Sequence, residues 1–182
     1  MTEERIVLAK ILEASSKGDG DALQTTIDGY VQEKNDGLTA AQILSEFKDA
    51  HKKSALHFAC QSRSPSRPPD NGHPDIVSVI LNNENWFPSD SNEASSSLNS
   101  LLRQKDKDGL TPIMLAAQQK DPLTAQARVL TLLNKNTKLG LARSKAGATP
   151  LHYAAGAGAT PETIEALHQA GPVALNAFSL RG

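Results

Sequence analysis

One frame, present three times, constrains this chain more than anything else in it. Ser54-Ala55-Leu56-His57-Phe58-Ala59, Thr111-Pro112-Ile113-Met114-Leu115-Ala116 and Thr149-Pro150-Leu151-His152-Tyr153-Ala154 each set a hydroxyl residue five positions before an alanine. Recurrence of this kind is the signature of a protein assembled from like units, and missing it misassigns the whole fold. A Thr or Ser followed by proline starts a helix: the hydroxyl serves as N-cap, and proline's missing N–H costs nothing at the first helical position. Leu151, Ala154 and Ala155 then share one face at helical spacing, the alanines being small enough for a neighbouring helix to approach closely. A short helix pair cannot bury that face by itself, so the units must stack, and stability becomes roughly a sum of unit and interface terms.

A second feature follows the frame at a set distance, a turn four positions after the alanine: Ala116 to Lys120 and Ala154 to Gly158. Ala14 to Gly18 repeats it without the hydroxyl segment, which marks a degenerate opening unit. Thr149 to Ala155 resembles Thr-Pro-Leu-His-x-Ala-Ala, the first half of the ankyrin repeat. The second half, Gly-His-x-Asp-Ile-Val-x-x-Leu-Leu, is similar to Gly72-His73-Pro74-Asp75-Ile76-Val77-Ser78-Val79-Ile80-Leu81 almost position for position. Asp106-Lys107-Asp108-Gly109-Leu110-Thr111-Pro112 looks like that family's turn into its first helix. The resemblance covers nearly the whole chain and implies an all-α ankyrin-repeat solenoid, with projecting β-turn or hairpin fingers and two loop insertions. Ser54, His57, Thr111, Pro112, Thr149, Pro150 and His152 are its structural motif residues. In the family the motif histidine ties adjacent turns together by hydrogen bonds; Met114 stands at that position in the third repeat, which is therefore expected to be a softer junction.

The layout expected is one domain over 1–182. It comprises an opening capping repeat at 1–34, an extra helix at 38–48, a second repeat at 49–83, a third at 104–136, a fourth at 142–171, and the start of a further repeat at 172–182. In the opening repeat, 1–16 and 19–33 form the helix pair, with Ile6, Leu8, Leu12, Leu23, Ile27 and Tyr30 as core. Thr39 to Phe47 sets apolar residues at 40, 43, 44 and 47, again helical spacing, and should pack on the opening repeat. The intervals between frames exceed the family period of about 33 residues, which places one insertion at 62–71 and a longer one at 84–103. Both are rich in Ser, Asn and Pro, so both are expected to be loops. Because the chain stops at Gly182 where the next Thr-Pro-Leu-His would begin, it reads as cut from a longer protein.

Composition narrows the function. Hydrophobic residues make up 38% of the 182, enough for a packed core. Nineteen Lys and Arg against twenty Asp and Glu leave a net charge of -1, so charge gives no global reason to expect nucleic acid or an anionic membrane. Apolar stretches fall short of the roughly 20 residues that cross a bilayer. The single Cys60 cannot form an internal disulfide, and Met1-Thr2-Glu3-Glu4 has no secretory character, which points to the cytoplasm or nucleus.

Catalysis needs a nucleophile, base and orienting group, or a metal with three or four ligands. His51, His57 and Cys60 come nearest; His57 and Cys60 share a helical face, a spacing open to a thiolate–imidazole pair or half a zinc site. Against that, His57 aligns with the motif histidine and Cys60 with Ala117 and Ala155, where a buried thiol acts as a small hydrophobe. No second Cys/His cluster lies at ligand spacing and no Gly-rich phosphate loop is present, so no catalytic residue, metal, cofactor or small-molecule ligand is expected. The basic residues cluster instead in the turns between repeats: His51, Lys52 and Lys53, then Arg103, Lys105 and Lys107, then Arg143 and Lys145. They are either contacts for an acidic partner or solvated loop charges neutralised by Asp49, Asp106 and Asp108. Trp86 and Phe87 are either interface anchors or local core against the preceding helix. Ser64 and Ser66 lie in an Arg-Ser-Pro-Ser-Arg-Pro segment suited to phosphorylation.

The function expected is a monomeric, non-catalytic adaptor or scaffold. It would bind a protein partner with an acidic surface through His51, Lys52, Lys53, Lys105, Lys107 and Lys145, with Trp86 and Phe87 as a second anchor. The alternative is a regulatory or targeting arm of a longer enzyme, channel or transferase whose activity lies beyond residue 182.

Overall fold

The computed structural model describes residues 3–34, 38–62, 75–88 and 91–171. Contacts divide the span read as one domain into two compact units, Met1–Gln104 and Lys105–Gly182. Among the described residues the regular elements are helical, apart from one antiparallel bridge between Lys48 and Ser54.

In the first unit, α1 (Glu3–Lys17) and α2 (Gly20–Lys34) form one antiparallel pair, and α4 (Ala55–Gln61) and α5 (Ile76–Leu81) form another. The pairs stack with α1 on α4 and α2 on α5. Ile11, Leu23 and Ile27 are fully buried between them, with Tyr30 nearly so. Two core assignments change: Ile6 is 44% exposed and Ile11 takes the inward position, because Ile11, Ala14 and Ser15 form the buried stripe of α1. Leu8 and Leu12 are half-buried at its margins. The insertion expected at 62–71 lies, beyond Ser62, outside the described residues.

A third pairing comes from outside the repeat frame. α3 (Ala40–Glu46) begins with a capping box in which the Thr39 backbone N–H donates to Gln42 Oε1 at 2.9 Å and the Gln42 N–H donates to Thr39 Oγ1 at 3.3 Å. It packs against α6 (Asn92–Arg103), a helix in the span 84–103 that the sequence assigned to a loop. That assignment is corrected by burial: Ala94, Leu101 and Leu102 are buried and Leu98 half-buried, an i, i+4, i+7, i+8 stripe that outweighs the low helical preference of the serines around it. Ser91 caps the helix through the Ala94 N–H, and the Gln104 amide at its far end donates to the Ser45 carbonyl at 2.6 Å.

Trp86 and Phe87 sit in the turn between α5 and α6, at 2% and 8% exposure. The Trp86 indole N–H donates to Asp28 Oδ1 on α2 at 2.8 Å, so the ring is buried with its polar edge satisfied. Neither ring is available as the external anchor the sequence offered; both belong to the first unit's core.

The second unit repeats the pair scheme with α7 (Pro112–Ala117) beside α8 (Pro122–Lys135) and α9 (Pro150–Ala157) beside α10 (Pro161–Ala170). α7 packs on α9 and α8 on α10, and a 3-10 turn at Thr137–Leu141 packs on α8 and α10. All four helices place proline at their first positions. Asp121 caps α8, accepting from the backbone N–H and the hydroxyl of Thr124. The Thr124 hydroxyl foremost, then its N–H, holds the Asp121 carboxyl below the usual carboxylate range.

Two outcomes follow. Trp86→Ala should destabilise by about 4 kcal/mol in urea unfolding, the cost of emptying a large aromatic site. Asp121→Ala should cost about 1 kcal/mol near neutral pH, the typical worth of an N-cap. The folded carboxyl titrates below the unfolded one, so this contribution is present above the unfolded pKa of about 3.9 and is lost as pH falls through the folded value. The gap between wild type and variant should therefore narrow in urea titrations carried out below about pH 4.

Candidate protein-binding surface

Three turns share one hydrogen-bonded geometry. In the first unit, the Asp49 N–H donates to the Lys53 carbonyl and the Lys52 N–H to the Asp49 carbonyl, both at 3.0 Å. In the second unit, Asp106 bonds Leu110 and Gly109 in the same way, and Ser144 bonds Ala148 and Gly147. These fingers differ in how they are pinned. Asp49 Oδ1 accepts from the N–H groups of His51 and Lys53, both at 2.8 Å, and Asp106 Oδ1 from those of Asp108 and Leu110, both at 2.9 Å. Ser144 makes no such bond, and its buried hydroxyl has no partner among the described residues. Asp106 is only 4% exposed, so its carboxylate holds a turn and is no surface counter-charge to the neighbouring lysines, as the sequence had allowed.

Within the second unit the two fingers run side by side. The Lys145 N–H donates to the Asp108 carbonyl at 3.1 Å, and the Lys105 ammonium donates to the Arg143 carbonyl at 2.8 Å. Gly109 is required at this contact: its φ is +77°, and a Cβ there would lie 2.7 Å from the Lys145 nitrogen.

The structure thus sorts the basic residues. Lys105 is turned onto the neighbouring finger, and the Lys53 ammonium is folded back to Gln61 Oε1 on α4 at 2.9 Å. His51, Lys52, Lys107 and Lys145 are exposed, and among the described residues none of the three lysines has an ion-pair partner. Lys107 and Lys145 stand on adjacent fingers of the second unit; His51 and Lys52 share the tip of the first unit's finger. Arg103, at the end of α6, is exposed and belongs to neither finger.

At the base of two of the fingers the motif residues close the following helix. His57 Nδ1 accepts from the Ser54 N–H at 3.2 Å and pairs with its hydroxyl at 2.9 Å. His152 does the same for Thr149 at 3.2 and 2.8 Å. On its Nδ1 side the motif histidine therefore caps its own helix, a local role beyond the bridging between turns that the resemblance implied. Met114 cannot supply it, and the buried Thr111 hydroxyl has no partner among the described residues.

Cys60 is fully buried in α4, as a small core residue. No three His, Cys, Asp or Glu residues lie close enough to hold a metal ion among the described residues. Ser64 and Ser66 fall outside them. One charged core residue escaped the sequence reading: Arg128, 1% exposed on α8. Its position was legible, since 125, 128, 129, 132 and 133 form the helix's buried stripe, but a guanidinium there could not be foreseen from the pattern.

Stacked helix pairs joined by hydrogen-bonded fingers define a class of repeat protein whose cores are shared between adjacent units. A family model of ankyrin repeats, in three copies, matches residues 69–176, and the chain belongs to the ankyrin repeat family. A search of curated proteins found no match. Ankyrin repeats are generally protein–protein interaction modules and typically non-catalytic. Among the described residues no helix is long and apolar enough to cross a membrane.

Met114→His should restore the missing cap and stabilise the second unit by about 1 kcal/mol. Hydrogen exchange reads this directly. Amides of 113–118 should exchange faster than those of 151–156 in the wild type and slow in the variant, whereas equal protection in the wild type would show that the orphan hydroxyl weakens nothing.

Proposed function

We propose that this chain is a non-catalytic recognition module that binds an acidic protein surface through its finger tips. The observation that supports this most directly is the placement of Lys107 and Lys145 on adjacent fingers of the second unit, both exposed and without ion-pair partners among the described residues. Cations held on a hydrogen-bonded scaffold lose little backbone entropy on binding, so complementary charge raises association rate and selectivity at small ordering cost. The tip of the first unit's finger, with His51 and Lys52, offers the same chemistry. Lys53 and Lys105 act in this scheme as supports for the finger backbone, their ammonium groups being bonded within their own units. The lone buried thiol of Cys60 supports a reducing compartment, cytoplasmic or nuclear, in which the module works as an adaptor or scaffold.

The test is affinity capture from lysate with the wild type and with Lys107→Glu/Lys145→Glu, bound proteins being identified by mass spectrometry. A partner retained by the wild type, lost by an equally stable reversal variant and released by raised salt is the expected result. Equal retention by both would remove the second unit's fingers from the binding surface.

A further inference from the structure

The three fingers place their lysines differently, and the difference has a backbone cost in one of them. Counting from the residue that opens each turn, Lys107 and Lys145 stand one position on, just after Asp106 and Ser144. The first unit's finger has Ala50 at that position and carries Lys52 two residues later. That later position has positive φ in all three fingers: +77° at Gly109, +77° at Gly147 and +62° at Lys52. Lys52 is the only non-glycine residue with positive φ among the described residues. A left-handed backbone is free for glycine and strained for a residue with a Cβ.

The strain is held in place from both sides. Asp49 Oδ1 takes the N–H groups of His51 and Lys53, which flank Lys52, while the Asp49 carbonyl takes the N–H of Lys52 itself. A residue fixed in a costly conformation by its surroundings is a candidate for function, because glycine would serve the turn at lower cost. What lysine adds over glycine at this point is an exposed cation, since neither its ammonium nor the His51 ring has a bonded partner among the described residues. Lys53, which needs no such conformation, spends its charge on Gln61.

We infer that Lys52 is a specificity-determining contact: the Asp49-pinned turn fixes the backbone point from which its side chain leaves the finger tip, toward a carboxylate of an acidic protein segment. This rests on the acidic-partner function proposed above and names the residue in the first unit whose position, beyond its charge, selects that partner. A lysine moved to the Ala50 position would keep the net charge but leave the turn from a different point.

The experiment uses the full chain and a ten-residue poly-glutamate peptide as probe, with affinity read by calorimetry at low salt and thermal unfolding recorded in parallel. Lys52→Gly should raise the melting temperature of the first unit by about 4 °C through relief of the left-handed strain. It should also weaken peptide binding about fivefold, the size of one well-placed exposed ion pair. The charge-conserving double variant Ala50→Lys/Lys52→Gly should show the same gain in stability and the same loss of affinity. Restoration of wild-type affinity in the double variant would overturn the inference, since charge alone would then suffice. Unchanged affinity in Lys52→Gly would overturn it while leaving the acidic-partner function to the other lysines. A wild-type chain that does not bind the peptide would overturn both.

Discussion

The helices of this protein are too short to stand alone. α4, α5 and α7 have 7, 6 and 6 residues, well under the length at which an isolated helix holds in water. Each exists because a neighbour covers its apolar face, and the rest of the structure follows from that dependence. Ile113, Met114, Ala116 and Ala117 are fully buried on a helix of two turns, so α7 has almost no side that is not an interface. With so few backbone hydrogen bonds inside each helix, the termini matter in proportion. Hydroxyl, proline and histidine at the start of α9 together settle donors that a longer helix could leave to water.

The fingers extend the same economy of parts to the surface. A single carboxylate oxygen in Asp49 or Asp106 takes two backbone N–H groups and so fixes a five-residue turn. Once the backbone is fixed in this way, the side chains divide. The Lys53 and Lys105 ammonium groups each find one hydrogen-bond acceptor on the scaffold, whereas those of Lys52, Lys107 and Lys145 have no ion-pair partner among the described residues. Net charge near zero therefore coexists with local positive tips, because one of the carboxylates that would neutralise them, Asp106, is buried in the turn itself.

The first unit also has a core that the repeat frame does not contain. α3 and α6 flank the second repeat in sequence and pack on each other in space, with Ile43, Leu44, Leu101 and Leu102 fully buried. Trp86 joins the turn before α6 to α2 through Asp28. α3 also packs on α2, the helix that Trp86 reaches, so these additions bear on the opening repeat.

The sequence by itself determined the repeat class. Hydroxyl, proline, leucine, histidine and alanine at fixed spacing specify a capped helix start with a close-packing face, and both are local properties that pattern records. It also located α3, whose apolar spacing and Thr39 cap are equally local. Tertiary structure decided the rest, for reasons that lie outside any short window. α6 was hidden by its serines although its apolar stripe was present, because whether such a stripe folds depends on a partner 50-odd residues away. Burial of Trp86 depended on an acceptor at Asp28, equally remote. Which lysine ammonium groups are bonded was set by single acceptors, Gln61 and the Arg143 carbonyl, that only the folded backbone brings within reach. The left-handed conformation of Lys52 was fixed by hydrogen bonds from Asp49 to its neighbours, a constraint of geometry that leaves no mark in residue type.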